Sequence, residues 1–469
     1  MKLIGLILPG CLVLLAGCTL SSTYVRPELP AGPHWWSTAA GSAVQLSVDR
    51  WWLAFGDPNL DKLVSNVISR NNEVLIAAAN AYQARLQADI AAHDLLPKLH
   101  GQGGGSSRQP LDDKVASTSS ASISVSYELD LWGKLAAKTD KADFEASATA
   151  EDYEEARILA IAGTIDAYLN IAHANQSLAL AETSLAHAKQ ARALVRAQVA
   201  AGAVSDLDLK ETDKRVEALA AAVSTRKQDR LKQRNALVVL LNGAPSPVPE
   251  PQRLPSKKLP PIQAGLPADL LARRPDLRAA EARLRAMLRN VDETRASFYP
   301  AISLTGALNA GSGQLLAFIS NPVATLGANA ALSFLNFEDM KLEVAVSRAQ
   351  YEKGVLGFRT TLLTAFSELA NALGARADYV ERAQHLHKVL AAAQEIEQLQ
   401  GTRYRSGDIR LTVWLDARES RREAEAALAD LRLDQLLNES KLYRIMGGSA
   451  AGSGPDGRST NKEPRSKAD

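Results

Sequence analysis

The chain repeats itself. Gly202 opens a turn in Ala201-Gly202-Ala203-Val204-Ser205, and Gly407 opens another, 205 residues on, in Ser406-Gly407-Asp408-Ile409-Arg410. Gly243 and Gly448 close the helical stretches after those turns and are again 205 residues apart. Leu96-Pro97-Lys98-Leu99 precedes Tyr299-Pro300-Ala301-Ile302 by 203 residues, each between an Ala/Arg-rich stretch and a Gly/Ser-rich one. Three pairs in one order at nearly one offset mark a duplication, which restricts the fold to two copies of one plan. The halves meet in a proline-rich linker, 244–267.

Proline placement draws the plan of each half. No proline lies between Pro110 and Pro245, and none between Pro322 and Pro455. Proline breaks helix interiors, so these gaps allow uninterrupted helices. Residues 132–200 form one candidate, roughly 100 Å long as a helix, far more than a globular domain needs. Leu178, Leu185 and Val199 recur at a seven-residue spacing before the first turn, and Leu209, Val216, Val223 and Leu237 after it. Such a repeat predicts an antiparallel coiled coil, interrupted at Arg192 and Arg230. Gly202 reads as a left-handed helix stop and Ser205-x-x-Asp208 as a capping box. Asp408 reads first as a structural residue, an N-cap after Gly407. Pro275, in Arg273-Arg274-Pro275-Asp276, fits a first helical position.

Other segments have period two. Ile123, Val125, Tyr127 and Leu129 alternate with serines and Glu128. Ile302, Leu304 and Leu308 alternate with Ser303, Thr305 and Asn309, and Leu326, Leu332 and Phe334 lie on one face of a further run. Leu99 to Ser107 is too glycine-rich to show a pattern. Each patterned strand has one apolar and one polar face. That suits a soluble sandwich with a wet face as well as a membrane barrel, whose strands need about ten residues.

The N-terminus favours the barrel. Lys2, the apolar run Leu3 to Leu15 and Leu15-Ala16-Gly17-Cys18 read as a lipoprotein signal peptide over 1–17. Cys18 is then expected to carry S-linked diacylglycerol and an N-acyl chain, with Thr19 sending the protein to the outer membrane. Cys11 leaves with the peptide, so no disulfide framework or cysteine metal site is expected. No later apolar run approaches 18 residues, so a crossing must use strands. Four strands cannot close a transmembrane barrel, and an open edge is not tolerated in lipid. The chain is therefore expected to assemble with copies of itself around a lumen.

Near-neutral charge, 54 Lys+Arg against 52 Asp+Glu, gives no reason to expect nucleic acid. No catalytic constellation emerges. His385 and His387 face different ways on a helix, and Gly101 to Gly105 lacks the lysine of a phosphate loop. No metal, cofactor or enzymatic activity is expected. A lipid-tethered periplasmic coiled-coil protein is the alternative, and it leaves the alternating strands unexplained.

Three segments carry a resemblance. Trp51-Trp52-x-x-Phe55-x-Asp57-Pro58-x-Leu60, Tyr127-Glu128-Leu129-Asp130-Leu131-Trp132-Gly133-Lys134 and Leu266-Pro267-x-Asp269-Leu270-Leu271-x-Arg273-Arg274-Pro275-Asp276-Leu277 resemble signatures of the outer-membrane factor (TolC-like) family. The chain looks like its lipoprotein branch, paired with resistance-nodulation-division pumps. Leu411 to Ala417 resembles the family segment after the second periplasmic turn. The likeness runs from Tyr24 to about Gly448. It implies a mainly α chain with a small β part, and a trimer with a periplasmic α-barrel below a twelve-stranded β-barrel. It implies an efflux duct served by an adaptor and an inner-membrane pump. Asp416 matches a pore-narrowing aspartate ring, and the turns Ala201 to Ser205 and Ser406 to Arg410 match the adaptor-docking tips. The expected layout is a lipidated segment 18–56, a first repeat 57–243 (strands about 98–129, hairpin about 132–243), the linker, a second repeat 268–448 (strands about 301–335, hairpin about 340–447) and a disordered tail 449–469.

Overall fold

The computed structural model describes residues 21–27, 50–108, 116–257, 273–312, 322–331 and 336–448. After a 3-10 turn, Trp51–Phe55, come α1 (Pro58–Arg70), α2 (Asn72–His93), β1 (Lys98–Arg108), β2 (Ala116–Leu129), α3 (Lys134–Ala200) and α4 (Asp206–Leu240). The second half gives α5 (Pro275–Ser297), β3 (Ala301–Ser312), β4 (Pro322–Ala331), α6 (Phe337–Arg405) and α7 (Leu411–Ile445). The expected order of elements is present in both halves. Cys18, Leu332, Phe334, linker residues 258–267 and the tail lie outside the described residues.

The chain divides into two compact units. One contains Ala78–Asp152 and Asp276–Leu362, and its centre is an antiparallel sheet in the order β1-β2-β3-β4. The segment Asp130 to Lys134 sets how β2 passes into α3. The Asp130 carboxylate accepts from the N–H groups of Leu135 and Ala136 at 3.0 and 2.8 Å, satisfying donors that a helix start leaves free. Gly133 takes a left-handed φ of 77°. Helix α3 thus begins at Lys134, two residues later than 132, and runs 67 residues. Trp132 donates from Nε1 to the Pro300 carbonyl at 2.8 Å, just before β3, and its ring lies 5.1 Å from that of Tyr299. Helix α6 begins slightly earlier than 340, at Phe337.

The other unit contains residues 50–77, 153–257, 273–275 and 363–448 among those described. Asp57 caps α1 by accepting from the Asn59 and Leu60 N–H groups, and also takes the Tyr168 hydroxyl at 2.6 Å. Leu60, Leu63, Val64 and Val67 repeat at three and four residues and are fully buried, the apolar stripe that a packed helix needs. Trp51 stacks on Tyr443 with centroids 5.3 Å apart. In the first hairpin Leu178, Val216, Val223 and Leu237 are buried as the seven-residue spacing predicts, with Leu185, Val199 and Leu209 partly buried. Ala188 and Val195 supply the other position of the α3 heptad. Arg192, which breaks the seam in sequence, reaches Asp213 of α4 at 3.8 Å.

Candidate functional site

The hairpin turns share one backbone design. Gly202 and Gly407 adopt φ of 72° and 77°. Around the first, Ala203 N–H donates to the Gln198 carbonyl and Gly202 N–H to that of Val199, both at 2.9 Å. Around the second, Asp408 N–H donates to the Arg403 carbonyl at 2.9 Å and Gly407 N–H to that of Tyr404 at 3.0 Å. This is the Schellman arrangement, in which glycine accepts the left-handed conformation at no steric cost.

The turns part company one step later. Ser205 N-caps α4 in a complete capping box with Asp208. The Ser205 hydroxyl and N–H hold the Asp208 carboxyl below the ordinary carboxylate range. A depressed carboxyl contributes stability above its ordinary pKa and loses it as pH falls through the lowered value. In the second turn the N-cap is Arg410, which makes no side-chain cap. Asp408 is not the cap: it lies two residues too early, and its carboxylate is taken by Arg403 Nε at 2.6 Å.

Beneath the turns, Ala191, Val195, Leu411 and Leu415 form a buried cluster with Val199, Val204, Leu209, Tyr404 and Trp414 against it. Both hairpins therefore end in one packed tip. Tyr404 stacks on Trp414 at 5.4 Å, and Arg418 lies over the other ring system of this pair at 5.2 Å from the Trp414 centroid. Charged groups bridge the hairpins. Arg410 approaches Asp208 at 3.6 Å, and Arg215 of α4 donates to the Asp416 carboxylate of α7 at 2.6 Å. The Asp416 side chain is still 70% exposed while that of Arg215 is 26% exposed, so the aspartate faces solvent with one edge engaged. Burial first, then Arg418 and Arg422, push the pKa of nearby His187 down, favouring its neutral form. Asp416 carries a local signal, its place after the second turn. Arg215 carries none, because the pairing spans 201 residues.

The strand residues form one surface. The register aligns Leu99, Val125, Gly306 and Leu326 across the sheet, and beside them Gly101, Ile123, Leu308 and Ala324. Tyr127, Leu304 and Ala328 follow, then Leu129, Ile302 and Ala330. Directly paired residues share a face, so every described apolar position singled out by alternation lies on the same side. Leu326 is 91% exposed and Leu99 71%. The opposite side carries His100, Ser120, Ser122, Ser124, Ser126, Ser303, Thr305, Asn309, Thr325 and Asn329, with Ala301, Ala307, Val323 and Ala331 as apolar residues among them.

Comparison with known proteins agrees with this architecture. The family model described as outer membrane efflux protein matches residues 63–243 and 266–448. The toluene efflux pump outer membrane protein TtgC of Pseudomonas putida is 31% identical over 459 residues, covering 93% of each chain. The cation efflux system protein CusC of Escherichia coli K12 is 27% identical over 94% of this chain and 99% of its own length. The solved outer-membrane channel OprN superposes with a TM-score of 0.82 at 26% identity, over 92% of this chain and all of that one. With both repeats matched and the channel fold shared, the chain belongs to the outer membrane efflux protein family, whose members are channel proteins of efflux pumps.

Proposed function

We propose that three copies of the chain form a lipid-anchored exit duct through which small molecules pass passively from the periplasm to the exterior. The observation that carries this reading is the two-faced sheet with two open edges. Among the described residues, β1 and β4 each lack a second neighbour in the four-stranded sheet, and lipid does not tolerate free edges. Pairing β4 of one copy with β1 of the next removes them, and the family resemblance makes the ring three copies and twelve strands. The helix leading into β1 and the one leaving β4 carry apolar side chains in the open. Tyr82, Leu86 and Ile90 line α2, and Leu342, Val346 and Leu356 line α6, as surfaces awaiting a neighbouring copy would. No described helix is long and apolar enough to cross a membrane.

In this assembly the face with Ile123, Val125, Tyr127, Leu129, Ile302, Leu304, Leu308 and Leu326 meets lipid. The serine-rich face lines the lumen with small, mostly uncharged groups, a wall with little means of choosing cargo. The relatives fit such indifference, being named for toluene, for cations and for pyoverdine export. Residues 1–17 are removed and Cys18 is acylated. The tips 201–205 and 406–410 dock a periplasmic adaptor that links the duct to an inner-membrane pump. Copies of Asp416 converge to narrow the closed pore and favour cations.

Two substitutions on adjacent residues test the membrane face. Val125→Arg puts a charge into lipid and should cost a few kcal/mol, abolishing the assembled oligomer and its bilayer conductance. Ser124→Arg turns its charge to the lumen and should leave assembly intact. Equal damage from both, or a wild-type protein without conductance, would favour the coiled-coil structural alternative.

A further inference from the structure

Helix α7 makes different contacts on opposite sides. Arg432 donates through Nε and Nη2 to the Pro255 carbonyl of the linker at 3.0 and 2.9 Å, and Tyr443 stacks on Trp51. The two residues are 11 apart in the chain, close to three full turns, so they share one side. Asp434, Leu437, Lys441 and Arg444 lie roughly half a turn round from them and line a cavity of about 530 Å³ with α3 and α6. The linker and the Trp51 turn are layers added to the long helices. In a ring of three copies the bore stays open only if such layers lie outside, so the cavity side of α7 faces the lumen.

The cavity holds polar atoms that the fold leaves unpaired. Ser440 is 1% exposed, and its hydroxyl has no hydrogen-bond partner among the described residues. The buried Oδ1 of Asp166, on α3, has none either. The two side chains lie near enough to influence each other without closing a hydrogen bond. Burial pushes the Asp166 carboxyl up to about 6, against the opposing pull of Ser440 and Arg444. A carboxylate stripped of water and given no donor is costly, and a ligand cation supplies both charge and donors.

The charges are sorted along the cavity. Helices α3 and α7 run antiparallel, since Ser184 meets Arg422 at 3.1 Å and His173 meets Asp430 at 2.7 Å. The same spacing sets Asp166 beside the stretch Leu437 to Ser440, one to two turns short of Arg444, or about 5–10 Å along the axis. Asp166 and Asp434 thus occupy the end toward the tip, and Lys441 and Arg444 the end toward Gly448. Leu159, Ala162 and Leu437 give the wall its apolar patches.

We infer that this cavity is a lumenal binding site for a small zwitterion, whose ammonium group is held by Asp166 and Ser440 and whose carboxylate is held by Lys441 and Arg444. The lumenal placement rests on the channel reading above. A solute with a single charge satisfies one end only. A zwitterion moving along the duct pauses here, whereas the serine-rich strand face has no such preference.

The test uses the full-length protein and 6-aminohexanoate, whose two charges stand at the ends of a chain of suitable length. Calorimetric titration of the detergent-solubilised protein should show binding about tenfold tighter than that of 6-acetamidohexanoate, which lacks the ammonium, or 6-aminohexanamide, which lacks the carboxylate. Asp166→Asn keeps the shape and removes the charge, and Arg444→Gln removes the guanidinium. Each should weaken binding about tenfold with oligomer yield unchanged. Equal binding of the three probes, no binding of 6-aminohexanoate, or wild-type affinity in the variants would overturn the site. If Asp166→Asn does not assemble, Arg444→Gln carries the same expectation, and wild-type affinity there is equally fatal. In planar bilayers, saturating 6-aminohexanoate should reduce wild-type conductance and leave that of Asp166→Asn unchanged. Binding to a conducting protein without any loss of current would overturn the lumenal placement. A wild-type protein that never conducts would sink the channel reading instead, while the titration would still judge the site.

Discussion

The two hairpins have kept the same backbone and diverged in what surrounds it. Helices α4 and α7 are both 35 residues long, and both end by the same pair of hydrogen bonds, Gly243 to Val238 in one and Gly448 to Tyr443 in the other. Yet the first residue of positive φ is Asn242 in the first half and Gly447 in the second. Asparagine tolerates this conformation, so φ alone does not require glycine. Packing does. A Cβ on Gly447 would collide with the Arg273 carbonyl, and one on Gly448 would meet Trp51 Nε1 at 3.0 Å, whereas Gly243 has open space. Duplication fixed the bonds along the chain, and tertiary contacts then decided how freely each copy could vary.

An exchange of residues between the halves breaks this comparison most severely. Gly447→Asn installs the first half's own residue where no Cβ fits, and should cost roughly 3 kcal/mol or more. Asn242→Gly changes a position already compatible with glycine, and should shift stability by only a few tenths of a kcal/mol. Thermal unfolding and oligomer yield check both. Similar melting points for the two variants would mean that the Arg273 contact can relax, and that the halves are interchangeable here.

A functional difference should follow the same register. Asp416 of α7 stands 205 residues after Glu211 of α4, so the duplication places a carboxylate at both sites. If Asp416 narrows the pore, Asp416→Ala should raise single-channel conductance or weaken cation selectivity without altering oligomer yield. Glu211→Ala should do neither. Conductance and reversal potential equal to wild type for Asp416→Ala would make Asp416 a surface residue, and changes from both substitutions would place the first hairpin at the pore as well.

What could be read in advance divides along this line. Glycine stops, the capping box of Ser205, the heptads and the two-residue alternation are local, and the structure contains them where the described residues allow a test. The strand register then joins the alternating segments into one apolar face, a step that no single segment encodes. Asp408 looked like a cap because it follows a helix stop, but the choice between Asp408 and Arg410 depends on where Arg403 sends its guanidinium. Arg215 and Arg432 show the larger limit. Their partners, the Asp416 carboxylate of α7 for Arg215 and the Pro255 carbonyl for Arg432, lie 201 and 177 residues away, and no spacing rule joins them.

The smallest expected effect concerns the starts of α4 and α7. A side-chain cap at a helix start contributes about 1 kcal/mol, and only the first turn has one. Ser205→Ala should therefore speed amide exchange about fivefold over residues 206–209, leaving 411–414 unchanged. Arg410→Ser offers the second turn the missing hydroxyl, while removing the cation 3.6 Å from Asp208. The capping box stays incomplete even then, since Val413 occupies the place that Asp208 fills in the first turn. Slower exchange at 411–414 would show that the second helix start is limited by its cap residue alone. Unchanged exchange there would mean that the backbone at Arg410 cannot aim a short side chain at the free N–H groups. The two turns would then differ in geometry as well as in sequence, despite their matching Schellman bonds.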